Sequence, residues 1–410
     1  MKIFFFIHFL IISSCSHHAT HDPRKAMRIY KKDITLQDDL ELAPLIRSLK
    51  KTAVFLEQSN KSLTFGTTIV TANDYRKIIN QLIKCYQQKP NKDYFLNLIK
   101  ENFNIHEVYG RKNIGEILLT SYFAPMIEGR KAPSRKYYIP IYSTPLDLVE
   151  IQIKNYPEEN YGVLEERDVL TGRIVKSGPS NKKGASFKIE PYYSREEIDS
   201  LHYLKGKGLE IAYVDPIDAF FLHIQGSGSI KLKNKDVINV GYSTQNGMKY
   251  VPIGKFLLDK IPLEEMSLQK IKKELRLLTK QDLHKLLNKN PSYIFFRQLD
   301  NNAITTSGLP ALAGRTLAVD QKLFPLGAIG WIKFQQPVFS DDDIFSLKST
   351  ARIIVNHDTG GAIKGSGRAD LFWGTGKLAG KHAGVMKHSA HLYYFTPKAN
   401  KINSKLCVSN

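Results

Sequence analysis

The chain has 410 residues, of which 42% are hydrophobic, 24% charged and 10% aromatic. That balance excludes a disordered chain and suffices for at least one substantial core, with two domains expected at this length. Its 59 lysines and arginines against 39 aspartates and glutamates give a formal charge of +20. Such a field excludes cationic partners and leaves nucleic acid, anionic wall polymers and anionic lipid as compatible ones.

Taken in chain order, the sequence starts with Lys2 and an apolar run from Ile3 to Ile12, broken only by His8. The run is too short to span a bilayer and suits the core of a signal peptide. It ends at Ile12-Ser13-Ser14-Cys15, which resembles a bacterial lipobox. An ordinary signal peptide with an incidental cysteine is the alternative. On the lipobox reading residues 1–14 are the signal peptide and Cys15 becomes the lipidated first residue. Ser16 beside it resembles an outer-membrane sorting signal, and residues 15–26 form a polar tether. The expected location is therefore periplasmic, with the outer membrane as anchor. Export weighs against nucleic acid, and none is expected as a partner. Cys85 and Cys407 can form one disulfide in an oxidising compartment. Neither has a His or Cys at metal-ligand spacing, so no metal is expected.

No repeat is visible. Asp74 is positioned to cap a helix whose Ile78, Ile79, Leu82 and Ile83 share a face, and Pro90 closes that region. A second amphipathic stretch carries Phe95, Leu98, Ile99 and Phe103. From Ile117 onward short runs of Tyr, Ile, Val and Phe alternate with Gly, Pro and Asn, as in Val237-Ile-Asn-Val-Gly-Tyr. These read as strands of barrels or sandwiches. A helical interlude from about Leu263 to Leu287 follows, and strands return as far as Tyr394. The order predicts a mostly β or α+β protein and argues against alternating βαβ units.

Chemistry concentrates in Asn356-His-Asp-Thr-Gly-Gly-Ala-Ile-Lys-Gly-Ser-Gly-Arg-Ala-Asp-Leu-Phe-Trp-Gly, behind the apolar run Ala351-Arg-Ile-Ile-Val. Asp358 and Asp370 flank four glycines that allow close backbone approach to a ligand. Phe372 and Trp373 can wall Asp370; a desolvated carboxyl keeps its proton and serves as a general acid. Glycosidic cleavage needs that acid, because the leaving oxygen must be protonated. Asp-Thr-Gly-Gly also fits a turn, and Asp370 an N-cap. A phosphate loop is excluded, since no Gly-Lys-Ser/Thr follows.

This segment resembles the C-terminal signature of the lytic transglycosylase A family, its 3D domain. Three further blocks are similar to the same family: Gly208-Leu-Glu-Ile-Ala-Tyr-Val-Asp-Pro-Ile-Asp-Ala-Phe-Phe-Leu-His-Ile-Gln-Gly-Ser-Gly, Asn290-Pro-Ser-Tyr-Ile-Phe-Phe-Arg, and Gly308-Leu-Pro-Ala-Leu-Ala-Gly-Arg-Thr-Leu-Ala-Val-Asp followed by Phe324-Pro-Leu-Gly. They run in order from Thr120 to Tyr394. The resemblance implies a double-psi β-barrel domain over 27–125 and 288–400, with N-terminal helices. A second β-domain is inserted over 130–287, and a groove between the two takes the glycan. It implies a lyase without cofactor that cleaves the bond between N-acetylmuramic acid and N-acetylglucosamine in peptidoglycan, in an exo manner, for wall turnover. Asp370 is carried over as the catalytic acid and base, Asp358 as its support and Asp320 as structural. Thr120, Tyr122, Gln225, Ser227, Lys364, Phe372 and Trp373 are the expected substrate-binding residues, with Arg368 beside them. Glycan strands, outer-membrane lipid and other cell-wall enzymes are the expected partners.

Two departures stand out. The family's Thr-Gly-Tyr-Tyr is Thr120-Ser-Tyr-Phe here, and a pair of consecutive aspartates is reduced to Asp215 before Pro216. Neither touches Asp370. A hydrolase acting through both Asp358 and Asp370, or a noncatalytic wall-binding lipoprotein, are the competing readings.

Overall fold

The structure, a computed structural model, describes residues 19–59, 61–110, 115–152, 169–177, 186–300, 303–340, 343–361, 363–402 and 404–407. The expected signal peptide, Cys15 and Ser16 lie outside the described residues. The chain divides into two compact units. The first combines the chain up to Thr120 with Leu317–Asp370 and the chain from Lys387 onward; the second combines Ser121–Thr316 with Leu371–Met386.

The N-terminal segment carries β1 (Met27–Ile29), α1 (Leu42–Glu57), the hairpin β2 (Ser62–Phe65) and β3 (Thr68–Thr71), α2 (Ala72–Gln88), α3 (Lys92–Asn102), β4 (Phe103–Val108) and β5 (Glu116–Ala124). Helix α1 buries Leu42, Leu45, Ile46, Leu49, Ala53 and Leu56 at helical spacing. In α2 the cap is Thr71, one turn ahead of Asp74. The Thr71 hydroxyl oxygen accepts the Asp74 amide at 3.0 Å and donates to the Asp74 carboxylate at 2.8 Å. The reading of Asp74 as the cap is corrected: Thr71 is the cap, and Asp74 is the third helical residue, whose carboxylate accepts from the capping hydroxyl. Phe103 starts β4 instead of extending α3. Cys85, fully buried on α2, is disulfide-bonded to Cys407.

The second unit contains β6 (Met126–Arg130), β7 (Ile139–Tyr142), β8 (Leu148–Gln152), β9 (Val169–Ser177), β10 (Ser186–Pro191), β11 (Glu210–Val214), α4 (Pro216–Gln225), β12 (Ser227–Lys231), β13 (Val237–Gln245), α5 (Leu268–Arg276), α6 (Lys280–Leu287) and β14 (Ile294–Leu299). A six-stranded sheet runs in the order β14-β13-β12-β6-β11-β7, and β8, β9 and β10 form a separate three-stranded one. Its core joins Ile127, Ile141, Val214, Leu222, Ile230, Val240 and Phe296. Asp215 caps α4 by accepting the amides of Ile217 and Asp218, with Pro216 at the first helical position. Gly226, at φ +72°, ends it with a left-handed turn that a side chain would strain.

The last segment adds β15 (Thr316–Ala318), β16 (Ile329–Ser340), β17 (Asp343–Asp358), β18 (Arg368–Thr375), α7 (Gly376–Ala383) and β19 (Lys387–Pro397). The large sheet runs β1-β4-β19-β16-β17-β15-β18-β5, and β5 pairs again with β19. That extra pairing closes β19, β16, β17, β15, β18 and β5 into a six-stranded ring. This is the double-psi barrel that the family resemblance implies, with β4 and β1 extending it. Ile353, Ile354 and Val355 on β17 are fully buried, as the apolar run predicts.

Candidate active site

The site is built on the connection from β17 to β18. Asp358 ends β17: its carbonyl accepts the Val319 amide at 3.1 Å and its carboxylate accepts the Thr359 amide at 3.0 Å. Beyond it the loop is held from below. Asp320, 6% exposed, accepts the Gly365 amide at 2.8 Å and the Lys322 amide at 3.1 Å, which gives it the structural role expected of it. Gly365 has φ +76°, and a Cβ there would stand 3.2 Å from the His21 ring. Ser366, fully buried, donates its hydroxyl to the Tyr109 carbonyl at 2.5 Å. The Gly367 carbonyl accepts the Leu118 amide at 2.8 Å, so β18 enters beside β5.

That pairing brings Thr120 and Asp370 together. The Thr120 hydroxyl donates to Asp370 Oδ1. Arg368 stands on the same face of β18, two residues before Asp370. Its Nε lies 3.5 Å from Asp370 Oδ1, and its terminal nitrogen donates to the Thr120 hydroxyl oxygen at 3.4 Å. The Asp370 side chain keeps 18% of its surface open. The result is a single carboxylate, oriented by a hydroxyl and a guanidinium and still reachable by solute.

The other candidates lie in the second unit, except Lys364, which belongs to the first. Tyr122 and Phe372 pack at 5.2 Å between ring centroids, and Phe372 is almost fully buried. Trp373 lies flat on His382 of α7, with centroids 4.7 Å apart and planes 18° from parallel. Gln225 turns its side-chain carbonyl to the Phe123 amide at 3.0 Å, so it fixes the backbone immediately after Tyr122. Ser227 is 8% exposed at the start of β12, while Lys364 is exposed. Sequence reasoning did not single out His382 or Ser366: His382 sits in no pattern that marks chemistry, and Ser366 lies among the glycines of the marked segment without drawing notice itself. Among the described residues no cluster of three or more His, Cys, Asp or Glu could hold a metal ion. No helix among them is long and apolar enough to cross a membrane.

Comparison with known proteins identifies the domains of the chain. Residues 118–297 match the MltA specific insert domain and residues 315–396 the 3D domain. A "Membrane-bound lytic murein transglycosylase A homolog" of Buchnera aphidicola is 25% identical over 83% of this chain and 81% of its own length. The "Membrane-bound lytic murein transglycosylase A" of Vibrio cholerae is 28% identical over 68% of this chain and 65% of its own. The crystal structure of a membrane-bound lytic murein transglycosylase from Agrobacterium tumefaciens superposes with TM-score 0.72 at 26% identity. It covers 91% of this chain and 98% of that one.

Proposed function

The chain belongs to the MltA family of membrane-bound lytic murein transglycosylases, and from that premise we propose that it cleaves peptidoglycan as a lyase with Asp370 as its only acid and base. The observation that carries the assignment of Asp370 is the triad it forms: a partly open carboxylate held by Thr120 and Arg368 on the strand that follows the glycine-rich loop.

The reaction needs one carboxyl group because its nucleophile is internal. Neutral Asp370 gives its proton to the oxygen joining N-acetylmuramic acid to N-acetylglucosamine. As that bond breaks, the C6 hydroxyl oxygen of the muramic residue closes on C1, and the Asp370 carboxylate takes the hydroxyl proton. The strand ends in a 1,6-anhydro sugar and no water is consumed. Closure within one ring has an entropic advantage over recruiting water. Thr120 and Arg368 stabilise the negative charge present on Asp370 between the two proton transfers. Asp358, engaged with the Thr359 amide, supports the loop. The Tyr122–Phe372 and Trp373–His382 pairs offer ring faces on which sugars stack. Gln225 and Ser227 are the candidate partners for N-acetyl groups, and Lys364 for acidic stem peptides.

The protein is further read as a periplasmic lipoprotein anchored to the outer membrane through Cys15. The Cys85–Cys407 disulfide supports an oxidising compartment. Metabolic labelling with palmitate tests the anchor, with Cys15→Ser expected to lose the label. For the reaction, mass spectrometry of muropeptides released from sacculi decides: the lyase product is one water lighter than a hydrolysed end. Reducing ends as the main product would favour a two-carboxylate hydrolase.

A further inference from the structure

The loop that delivers Asp370 is held by the first described residues of the chain. The Thr20 amide donates to the Ser366 hydroxyl oxygen at 3.1 Å, and the Ser366 amide donates back to the Thr20 carbonyl at 3.0 Å. The two residues are 346 positions apart. Around this pair the fit is tight. His21 sits against the left-handed Gly365, and the Thr20 hydroxyl oxygen accepts the Asp22 amide at 3.1 Å. Asp22 then accepts the Arg24 amide at 2.9 Å, capping the turn Pro23–Lys25 that feeds the buried Ala26 into β1. Residues expected to be a free tether are thus part of the barrel unit from Thr20 onward.

We propose that Ser366 is a positioning residue for Asp370, and that Thr20 is the clasp that sets it. The inference rests on the reading of Asp370 above. Ser366 is engaged at three points: its amide and hydroxyl oxygen by Thr20, its hydroxyl proton by Tyr109. One residue on, the Gly367 carbonyl accepts Leu118 and fixes the register of β18 against β5, and with it the meeting of Asp370 and Thr120. A loosened Ser366 lets that register drift, and a shift of about 1 Å in a reacting group can cost about a hundredfold in rate.

The test uses the full-length protein in detergent, with intact sacculi as substrate. Ser366→Ala and Thr20→Pro, which removes the donated amide, are each expected to lower kcat about tenfold with KM unchanged. The double variant should be no slower than the worse single one, because both break one device. Lys25→Ala is the neighbouring control and keeps full rate. Amide exchange at Gly365 and Ser366 gives a readout independent of catalysis and should speed up at least tenfold in both variants. Unchanged kcat and unchanged exchange overturn the proposal, as does a loss that merely follows global unfolding. A parent protein releasing no anhydro ends would sink the functional reading instead, while faster exchange in the variants would still establish the clasp.

Discussion

Two arginine–aspartate pairs in this protein make opposite use of the same chemistry. Arg368 and Asp370 keep 35% and 18% of their side-chain surface open, whereas Arg195 and Asp199 keep 2% and 9%. Shifted titration is a common pointer to function, and it points to the second pair: burial pushes Asp199 up to about 6, against the pull of Arg195. Nearby charge from Arg195 adds to burial in holding His223 well below its usual value, and neither His223 ring nitrogen has a hydrogen-bond partner among the described residues. Yet the guanidinium of Arg195 donates to the carbonyls of Asn290 and Ser292 and lies over the rings of Phe220 and Tyr293. No face is left for a substrate. That pair fastens the turn Glu196–Ser200 to the segment before β14. Access, not perturbation, separates the proposed catalytic carboxylate from the fastening one.

Four measurements can break or sharpen that contrast. Asp370→Asn should lower release of anhydro-muropeptides by about a thousandfold while the melting temperature stays within about 2 °C; a variant that still turns over would move the role elsewhere. Arg195→Met leaves Asp199 buried and unpaired, and should cost about 3–5 kcal/mol in urea denaturation. The rate per folded molecule should hold, and an unchanged midpoint would show that the pair fastens nothing.

The third concerns pH. Burial lowers His357 and His106 to about 4, so the folded state resists their protonation. Their contribution is present above about 6.5 and is lost as pH falls through 4, on the order of 3 kcal/mol each. Asp199 has the opposite sign: raised in the fold, it stabilises at low pH and that part is lost as pH rises through about 6. His357→Gln should therefore flatten the fall in melting temperature between pH 6.5 and 4. An equally steep fall would assign acid lability to other groups. The smallest effect is expected of Thr120→Val, about tenfold in kcat for one hydrogen bond to a charged group. Thr120→Ser should retain most of the rate, and full activity in the valine variant would make the hydroxyl incidental.

How much of this was legible in advance depends on how local each feature is. The Asp370 segment could be read because its aspartates and glycines are consecutive, and alternation along β18 then puts Arg368 on the face of Asp370. The barrel strands followed from β-branched and aromatic runs between turn residues. The stretch Leu263–Leu287 was legible as helical but not as a turn and two helices, because Ser267 and Thr279 cap new starts inside it. At Asp74 the residue type pointed to a cap that the geometry gives to Thr71. The stack of Trp373 on His382 and the clasp of Thr20 on Ser366 carry no local signal. One needs α7 folded back on its strand, and the other joins a backbone to a hydroxyl across most of the chain. Cys85 and Cys407 were equally silent in spacing, being 322 residues apart.

The closing of the barrel by β5 and β19 has a consequence for the order of assembly. The second unit is almost one continuous stretch, Ser121–Thr316, and can bury its core while later residues are still being made. The ring cannot: Thr120 and Asp370 lie 250 positions apart, and β19 comes after both. Contacts of such range form late, because chain closure must precede them. Until the final strand arrives, the edges of β5 and β4 stay unpaired and open to wrong partners. A chain cut short anywhere before Pro397 therefore lacks part of the strand that closes the ring, and with it a finished frame for the proposed site around Asp370.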